Sequence, residues 1–411
     1  MGLTHRSALL MTVAIVTILV GSIFTFSTTF AALPSIVATA ATTTAASATD
    51  VLQPTTSYLS AQEYDEMKKC STDTAKQANY TEYLTHFNCG RVSDEEATGQ
   101  VLREFTLIAK EDVPIQISEN PTHIHDAWTF NGTVPGPTIR VTEGDHVKIN
   151  VINLANSTFS HSLHMHSIHP AEMDGVQANP ILPGGNFTYD FIAQPAGVYP
   201  YHCHIDPLQD HINRGLYGAL IIDPKTPRPA MPEMVMMLNG YDLDYDLEGM
   251  TTIRPELKEG EEVPEEAERG NEVYTANGYA FGYMMHPIRL QTDQPYRIYV
   301  VNMLEFDLIN SFHVHGALFD YYPSGIGDKP AFTNDIIDMG QGDRGIMEMQ
   351  YTYPGKYMFH AHVTEFTDLG WMGLFEVQQS EVKDGDGNGG TATTVARNNS
   401  LSHAAGDAQI H

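Results

Sequence analysis

One order of short motifs runs through the chain twice, and this repetition limits the folds open to it more than any other feature. F-N-G-T-V-P-G (130–136) has its counterpart in N-G-Y-A-F-G-Y (277–283), and V-K-I-N-V-I-N (147–153) in R-I-Y-V-V-N (297–302). S-L-H-M-H (162–166) then answers to S-F-H-V-H (311–315), Y-H-C-H (201–204) to F-H-A-H (359–362), and G-L-Y-G-A-L-I-I (215–222) to G-W-M-G-L-F-E-V (370–377). A repeat on the order of 100 residues is domain-sized and means two copies of one domain. Within each copy, short alternating runs such as T-I-R-V-T-E-G-D-H-V-K-I-N-V-I-N (138–153) are separated by Gly, Pro and Asn. That pattern predicts an all-β fold of two tandem Greek-key β-sandwiches, residues 103–225 and 226–380. Before them come an N-terminal segment (1–50) and an extension of helical character (51–102). After them comes a Gly/Asp/Asn/Thr-rich tail (381–411) expected to be disordered. An acidic, Pro-containing insertion, 242–272, is expected to be a solvated loop.

The N-terminus predicts export. Arg6 precedes a nearly uncharged apolar run from about Ala8 to Leu33, followed by an Ala/Thr/Ser-rich stretch to Ala48. Such a segment reads as a cleaved signal peptide or a retained membrane anchor, with the rest of the chain in an extracytoplasmic space. Cys70 and Cys89 flank a polar, helix-like part of the extension and are expected to pair as a disulfide there. Cys203 is left as the odd thiol, between two histidines. With 22 basic against 51 acidic residues the formal charge is −29. The basic footprint of a nucleic-acid binder is missing, so no nucleic-acid partner is expected.

Ten of the 19 histidines fall in four clusters: His161/His164/His166, His202/His204/His211 around Cys203, His313/His315, and His360/His362. On a strand, residues i and i+2 face the same side, so each His-X-His pair presents two imidazoles together. Four such pairs at matching places of a duplication offer eight neutral nitrogen ligands, a set that suits copper or another imidazole-binding transition metal. Cys203, between His202 and His204, faces the opposite side of its strand. There it can meet His161 from an earlier strand and His211 from downstream. Two imidazoles and one thiolate make the trigonal set of a blue-copper site, ordinarily completed by a weak axial Met. The spacing puts Leu216 at the axial place; leucine donates nothing, which predicts a raised reduction potential. The thiolate is covalently flanked by two members of the histidine set, so an electron has a short through-bond route. His86, His123, His125, His146 and His286 read as structural, and His169 has no assigned role.

These motifs resemble those of the multicopper oxidases, specifically the two-domain laccase-like group, over nearly all of 103–378. F-N-G-T-V-P-G-P-T-I-R-V-T-E-G-D (130–145) and M-D-G-V (173–176) are similar to segments of that family's first domain. The resemblance implies cupredoxin-like domains and four coppers per chain: one type 1, one type 2 and two type 3. It implies type 2 ligation by His164 and His313, and type 3 ligation by His166, His202, His204, His315, His360 and His362. It further implies one-electron oxidation of a donor at the type 1 copper and four-electron reduction of dioxygen to water at the trinuclear cluster. Asp174 and Asp206 match acidic positions that assist proton delivery in the family; their plainer role is a loop hydrogen bond or support of a ligand imidazole. The electron donor, whether a small molecule, a metal ion or a small redox protein, is not legible in the sequence.

In the second copy the blue-copper positions read Asn310, Ala361 and Phe366, with Trp371 near the axial place. Only the first domain is therefore expected to hold a type 1 copper. That domain also resembles copper nitrite reductase, with which it shares the spacing of His161 and His166, although His164 stands where that family has its catalytic aspartate. Reduction of nitrite to nitric oxide remains an alternative, as does a non-enzymatic copper electron carrier. Met231, Met234, Met236 and Met237 suit either a cuprous ion or a strand in the core. A homotrimer is expected, with clusters at the subunit interfaces. Tandem domains need not face each other's histidine edges, and a first domain paired with a neighbour's second domain closes at three-fold rotation.

Overall fold

The computed structural model of the protein describes residues 70–71, 79–95, 98–176, 180–243 and 270–380. The segment expected to direct export, nearly all of the acidic insertion, the tail and the side chain of Cys70 lie outside the described residues. Among the described residues no helix is long and apolar enough to cross a membrane.

Strands dominate. Those of the first half are β1 (Cys70–Ser71), β2 (Phe87–Asn88), β3 (Arg91–Glu95), β4 (Gln100–Ser118), β5 (His123–Phe130), β6 (Ile139–Thr142), β7 (His146–Asn153), β8 (His164–Met165), β9 (Asn186–Ile192), β10 (Gly197–His202) and β11 (Tyr217–Asp223). They form two sheets, ordered β1-β2-β6-β11-β10-β8 and β3-β4-β7-β9, with β5 paired to β4. Strand β7 shows why the sequence folds this way. H-V-K-I-N-V-I-N alternates, and Val147, Ile149 and Val151 pack without exposure in one core with Trp128, Leu107 and Leu220.

The second half repeats the arrangement with β12 (Glu233–Tyr241), β13 (Val273–Ala276), β14 (Ile288–Gln291), β15 (Pro295–Asn302), β16 (Asn310–Val314), β17 (Phe319–Pro323), β18 (Phe332–Asn334), β19 (Ile336–Met339), β20 (Arg344–Gln350), β21 (Gly355–His360) and β22 (Met372–Gln378). The sheets run β13-β12-β15-β20-β17-β18 and β14-β22-β21-β16-β19. The all-β expectation holds. Register matters most at two places: His202 of β10 lies opposite His164 of β8, and His360 of β21 opposite His313 of β16. Antiparallel pairing thus brings the His-X-His motifs of each half side by side.

Helical character in the described extension is confined to α1 (Tyr80–Tyr83), capped by Asn79, whose side-chain oxygen accepts from the Thr81 and Glu82 amides. Its neighbours are strands, β1 and β2 joining one sheet of the first half and β3 the other. The extension touches both halves: the Asn88 amide donates to Thr138 O, and Leu84 O accepts from the Val235 amide, both at 2.8 Å. Cys89 is disulfide-bonded and Cys203 is free.

The halves meet through a core of their own. On β12, Met234 and Met236 pack into the second sandwich, while Val235 and Met237 pack with Val198, Tyr217, Ala219 and Ile221 of the first half. Burial on both faces explains why this strand does not alternate. It also identifies Met234, Met236 and Met237 as core residues.

Candidate metal centres

Beyond His202 the chain turns into α2 (Leu208–Asn213), which carries His211. The Cys203 amide donates to Leu216 O at 2.9 Å and the Leu216 amide to His211 O at 3.1 Å. This fold-back gathers Cys203, His211 and Leu216 beside His161, all four without solvent exposure. Cys203 Sγ lies 3.1 Å from His211 Nδ1 and 3.9 Å from His161 Nδ1, and the Ser162 amide donates to the sulfur at 3.4 Å. Burial pushes the thiol up to about 11. Burial, aided by the neighbouring His161, holds His211 down to about 3. The imidazole is thus presented neutral, and a metal has only the thiol proton to displace. His161 Nε2 donates to Glu111 Oε1 at 3.0 Å, which leaves Nδ1 as the lone pair facing the sulfur. Two nitrogens and a thiol within 4.8 Å of one another, sealed from water, would fit copper in the His₂Cys manner, with the aliphatic Leu216 buried in the same fold-back.

At the corresponding place in the second half, side chains fill the space. Asn310 Nδ2 donates to Asn302 Oδ1 and Trp371 Nε1 to Ser311 O, each at 3.1 Å. Phe366 stacks on Tyr274 with ring centroids 4.1 Å apart, and Ala361 is fully buried. No thiolate or imidazole stands among these residues.

The eight remaining histidines form two nests that copy each other contact for contact. His166 Nε2 lies 3.1 Å from His202 Nε2, and His315 Nε2 lies 3.1 Å from His360 Nε2. The His164 ring sits 5.1 Å from that of His204, and the His313 ring 5.4 Å from that of His362. The His204 amide donates to Ser162 Oγ at 3.0 Å and the His362 amide to Ser311 Oγ at 2.8 Å. Four imidazoles have their outer nitrogen fixed as a donor by a backbone carbonyl. His164 Nδ1 donates to Asp174 O at 2.7 Å, His202 to Cys203 O at 2.8 Å, His313 to Asp335 O at 2.9 Å and His360 to Ala361 O at 2.5 Å. Their Nε2 atoms are then free lone pairs turned into the nests, the tautomer a metal requires. Burial holds His202 down to about 3 and His166 down to about 4, and lowers His164, His315 and His360 as well. Converging neutral nitrogens 3.1 Å apart suit a shared cation. Among the described residues, no set of ligand atoms within 4.8 Å draws on both nests.

Asp174 is held at its histidine by Gly175. That residue has φ +70°, and a Cβ there would lie 2.0 Å from Leu163 O. Only glycine lets the M-D-G turn lie this close to the histidine-bearing strand, with the Asp174 carboxylate 3.3 Å from His164 Nδ1. Asp206 is exposed in the turn after His204. His169 Nε2 is 3.1 Å from Met165 O and 3.7 Å from Asp174 Oδ1. Three residues that the sequence reading passed over belong to these sites. Asp335 is the second half's counterpart of Asp174. Trp128 sets its ring 4.8 Å from His211 and 5.8 Å from His161. Glu111 accepts from His161, and although burial opposes its ionised form, hydrogen bonds from His161 and two backbone amides hold it below the usual carboxylate range. The only signal for Glu111 was a charged run, Lys110–Glu111–Asp112, breaking the alternation between Phe105 and Ile117.

Comparison with known proteins agrees with this geometry. Residues 114–227 match one multicopper oxidase family model and residues 254–381 another. A crystal structure of a multicopper oxidase superposes with a TM-score of 0.63 at 41% identity, covering 73% of this chain and 97% of that one. A copper nitrite reductase from Nitrosomonas europaea superposes with a TM-score of 0.58 at 28% identity, covering 67% and 94%. A copper-containing nitrite reductase of Neisseria meningitidis serogroup B is 29% identical over 258 residues, 62% of this chain and 64% of the relative's length. The fold is that of a family of copper-containing redox enzymes built of cupredoxin-like domains. The chain belongs to the multicopper oxidase family and is related to the copper nitrite reductases.

Proposed function

We propose that this protein oxidises a one-electron donor at the His161–Cys203–His211 site and reduces dioxygen to water at an eight-histidine site shared between neighbouring chains of an exported trimer. The observation that carries this reading is the matched pair of four-histidine nests, each with two of its four imidazoles held by backbone carbonyls. Copper in these two kinds of site supplies one-electron redox chemistry and, with four ions per chain, the four electrons that dioxygen requires. The remaining work falls to the chain. Cys203 joins the buried site covalently to His202 and His204, so the electron route is a few bonds long. Backbone carbonyls orient four of the imidazoles, and Asp174, 39% exposed beside His164, would pass protons from solvent. Each nest alone offers half of the eight nitrogens, and His315 and His362 are exposed. A second chain can therefore complete it.

The likeness to nitrite reductases favours nitrite reduction as the second reading. A single three-histidine copper would leave most of the duplicated nests without a use. The test is metal analysis of copper-loaded protein, with oxygen uptake measured beside nitrite reduction under anoxia. Four coppers per chain and donor-dependent oxygen consumption are expected. Two coppers per chain, with nitric oxide formed and no oxygen consumed, would sink the oxidase reading.

A further inference from the structure

Strand β4 is interrupted where it passes the His161–Cys203–His211 site. Its pairing with β5 slips between Lys110 and Val113, and Asp112 takes a left-handed backbone conformation, φ 51°. A residue other than glycine adopts that conformation at a cost of about 1 kcal/mol or more. A bulge of this kind re-aims a side chain, and here it turns Glu111 inward until its side chain is 6% exposed. Three N–H groups meet the carboxylate: His161 Nε2 at 3.0 Å, the Phe159 amide at 2.9 Å and the Thr158 amide at 2.6 Å. The other imidazole of the site is treated differently, since His211 Nε2 is buried with no hydrogen-bond partner among the described residues. One ligand of the pair therefore carries a carboxylate and the other does not.

We infer that Glu111 is a positioning residue for the copper held by His161, Cys203 and His211, and that its charge lowers the reduction potential of that site. A carboxylate accepting from the far nitrogen of a ligand imidazole fixes the ring and makes its near nitrogen a stronger donor, which favours the oxidised metal. Glu111 thus acts against Leu216, whose lack of a donor atom raises the potential. The balance between the two sets which donors the site can oxidise.

The inference rests on the copper assignment above, and its test reads the two separately. In copper-loaded Glu111→Gln protein the thiolate-to-copper absorption reports the assignment, and spectroelectrochemical titration reports Glu111. The expected result is an intact blue band with the Cu(II)/Cu(I) ratio at fixed applied potential shifted about tenfold toward Cu(I), equivalent to about 59 mV for one electron. An intact band with an unchanged or lower potential overturns the role of Glu111 and leaves the copper assignment standing. A wild-type protein without the band overturns both. Where Glu111→Gln fails to hold the metal, Glu111→Asp takes its place, keeping the charge but withdrawing it from His161 by one methylene. A smaller rise in potential then supports the inference, and no rise overturns it.

Discussion

His125 lies against the Tyr241 ring, 4.8 Å between centroids, and its Nε2 meets no hydrogen-bond partner among the described residues. Burial, and then the charge of Arg214, hold its imidazole down to about 4 against an ordinary 6.5. A group depressed in the folded state favours folding fully above its unfolded value and loses that contribution as pH falls through the folded one. Wild-type protein should therefore lose about 3 kcal/mol between pH 7 and pH 4 through His125 alone. Denaturant unfolding of wild type and His125→Phe across that range isolates the effect, and parallel curves would refute it. At the blue-type site, Cys203→Ser should abolish colour and donor oxidation while the two histidine nests still bind copper. Substantial turnover by that variant would overturn the assignment of Cys203. Leu216→Met should lower the potential; an unchanged or higher value would argue against Leu216 as the axial neighbour. The grouping of the candidate ligand side chains was legible because His-X-His and His-Cys-His encode facing directly through strand alternation. Glu111 was not, because its direction depends on a bulge that no residue pattern announces. Asp335 escaped for another reason: it reaches His313 through its backbone carbonyl, which any residue could supply.

Strands buried on one face, such as β7, could be read from alternation, whereas β12 and β15 could not. An unbroken apolar run reads equally well as a buried helix, and only the packing of the two halves against each other explains it. The same joint holds a buried ion network. Glu233 of β12 accepts from Arg140 of the first half at 2.6 Å, and from Arg297 and Tyr299 of the second at 2.8 Å each. Arg140 also donates to Asp223 at 2.7 Å and Arg297 to Glu348 at 2.8 Å. The Glu233 side chain is 9% exposed, and that of Arg297 is 3% exposed. Removing the central charge leaves two poorly hydrated guanidinium groups with one carboxylate each, Asp223 for Arg140 and Glu348 for Arg297. Glu233→Gln should cost about 3 kcal/mol, seen as a lower denaturation midpoint that added salt does not restore. A loss below about 0.5 kcal/mol would place the network with ordinary surface pairs.

At the scale of the whole molecule, one chain carries eight nest histidines but keeps them in two separate groups. The joint between its halves comes up to the edge of the first nest, where a Cβ on Gly342 would lie 3.5 Å from His166 Cε1, but it brings no second-nest histidine there. The Val198 amide donates to Ser324 O at 2.8 Å, and Arg344 Nε donates to Val198 O at 3.2 Å. A chain folded this way presents one nest of each kind, and the proposed ring pairs the first nest of one copy with the second nest of the next. In the proposed trimer such a heterologous contact would close after three copies, and metal shared across it would tie copper loading to assembly. The arrangement makes a prediction that a cluster confined to one chain cannot share. His164→Ala damages only the first nest and His313→Ala only the second, so either variant alone should be inactive. In a mixed trimer some interfaces join the intact second nest of a His164→Ala chain to the intact first nest of a His313→Ala chain. At equal proportions with random assortment about a quarter of the interfaces should be whole. Subunit exchange should therefore restore roughly that share of wild-type oxygen uptake, measured after copper is reloaded. A monomeric mass for active, copper-loaded protein would rule the ring out. So would the absence of any recovery once mass spectrometry of differently tagged chains has shown that exchange took place.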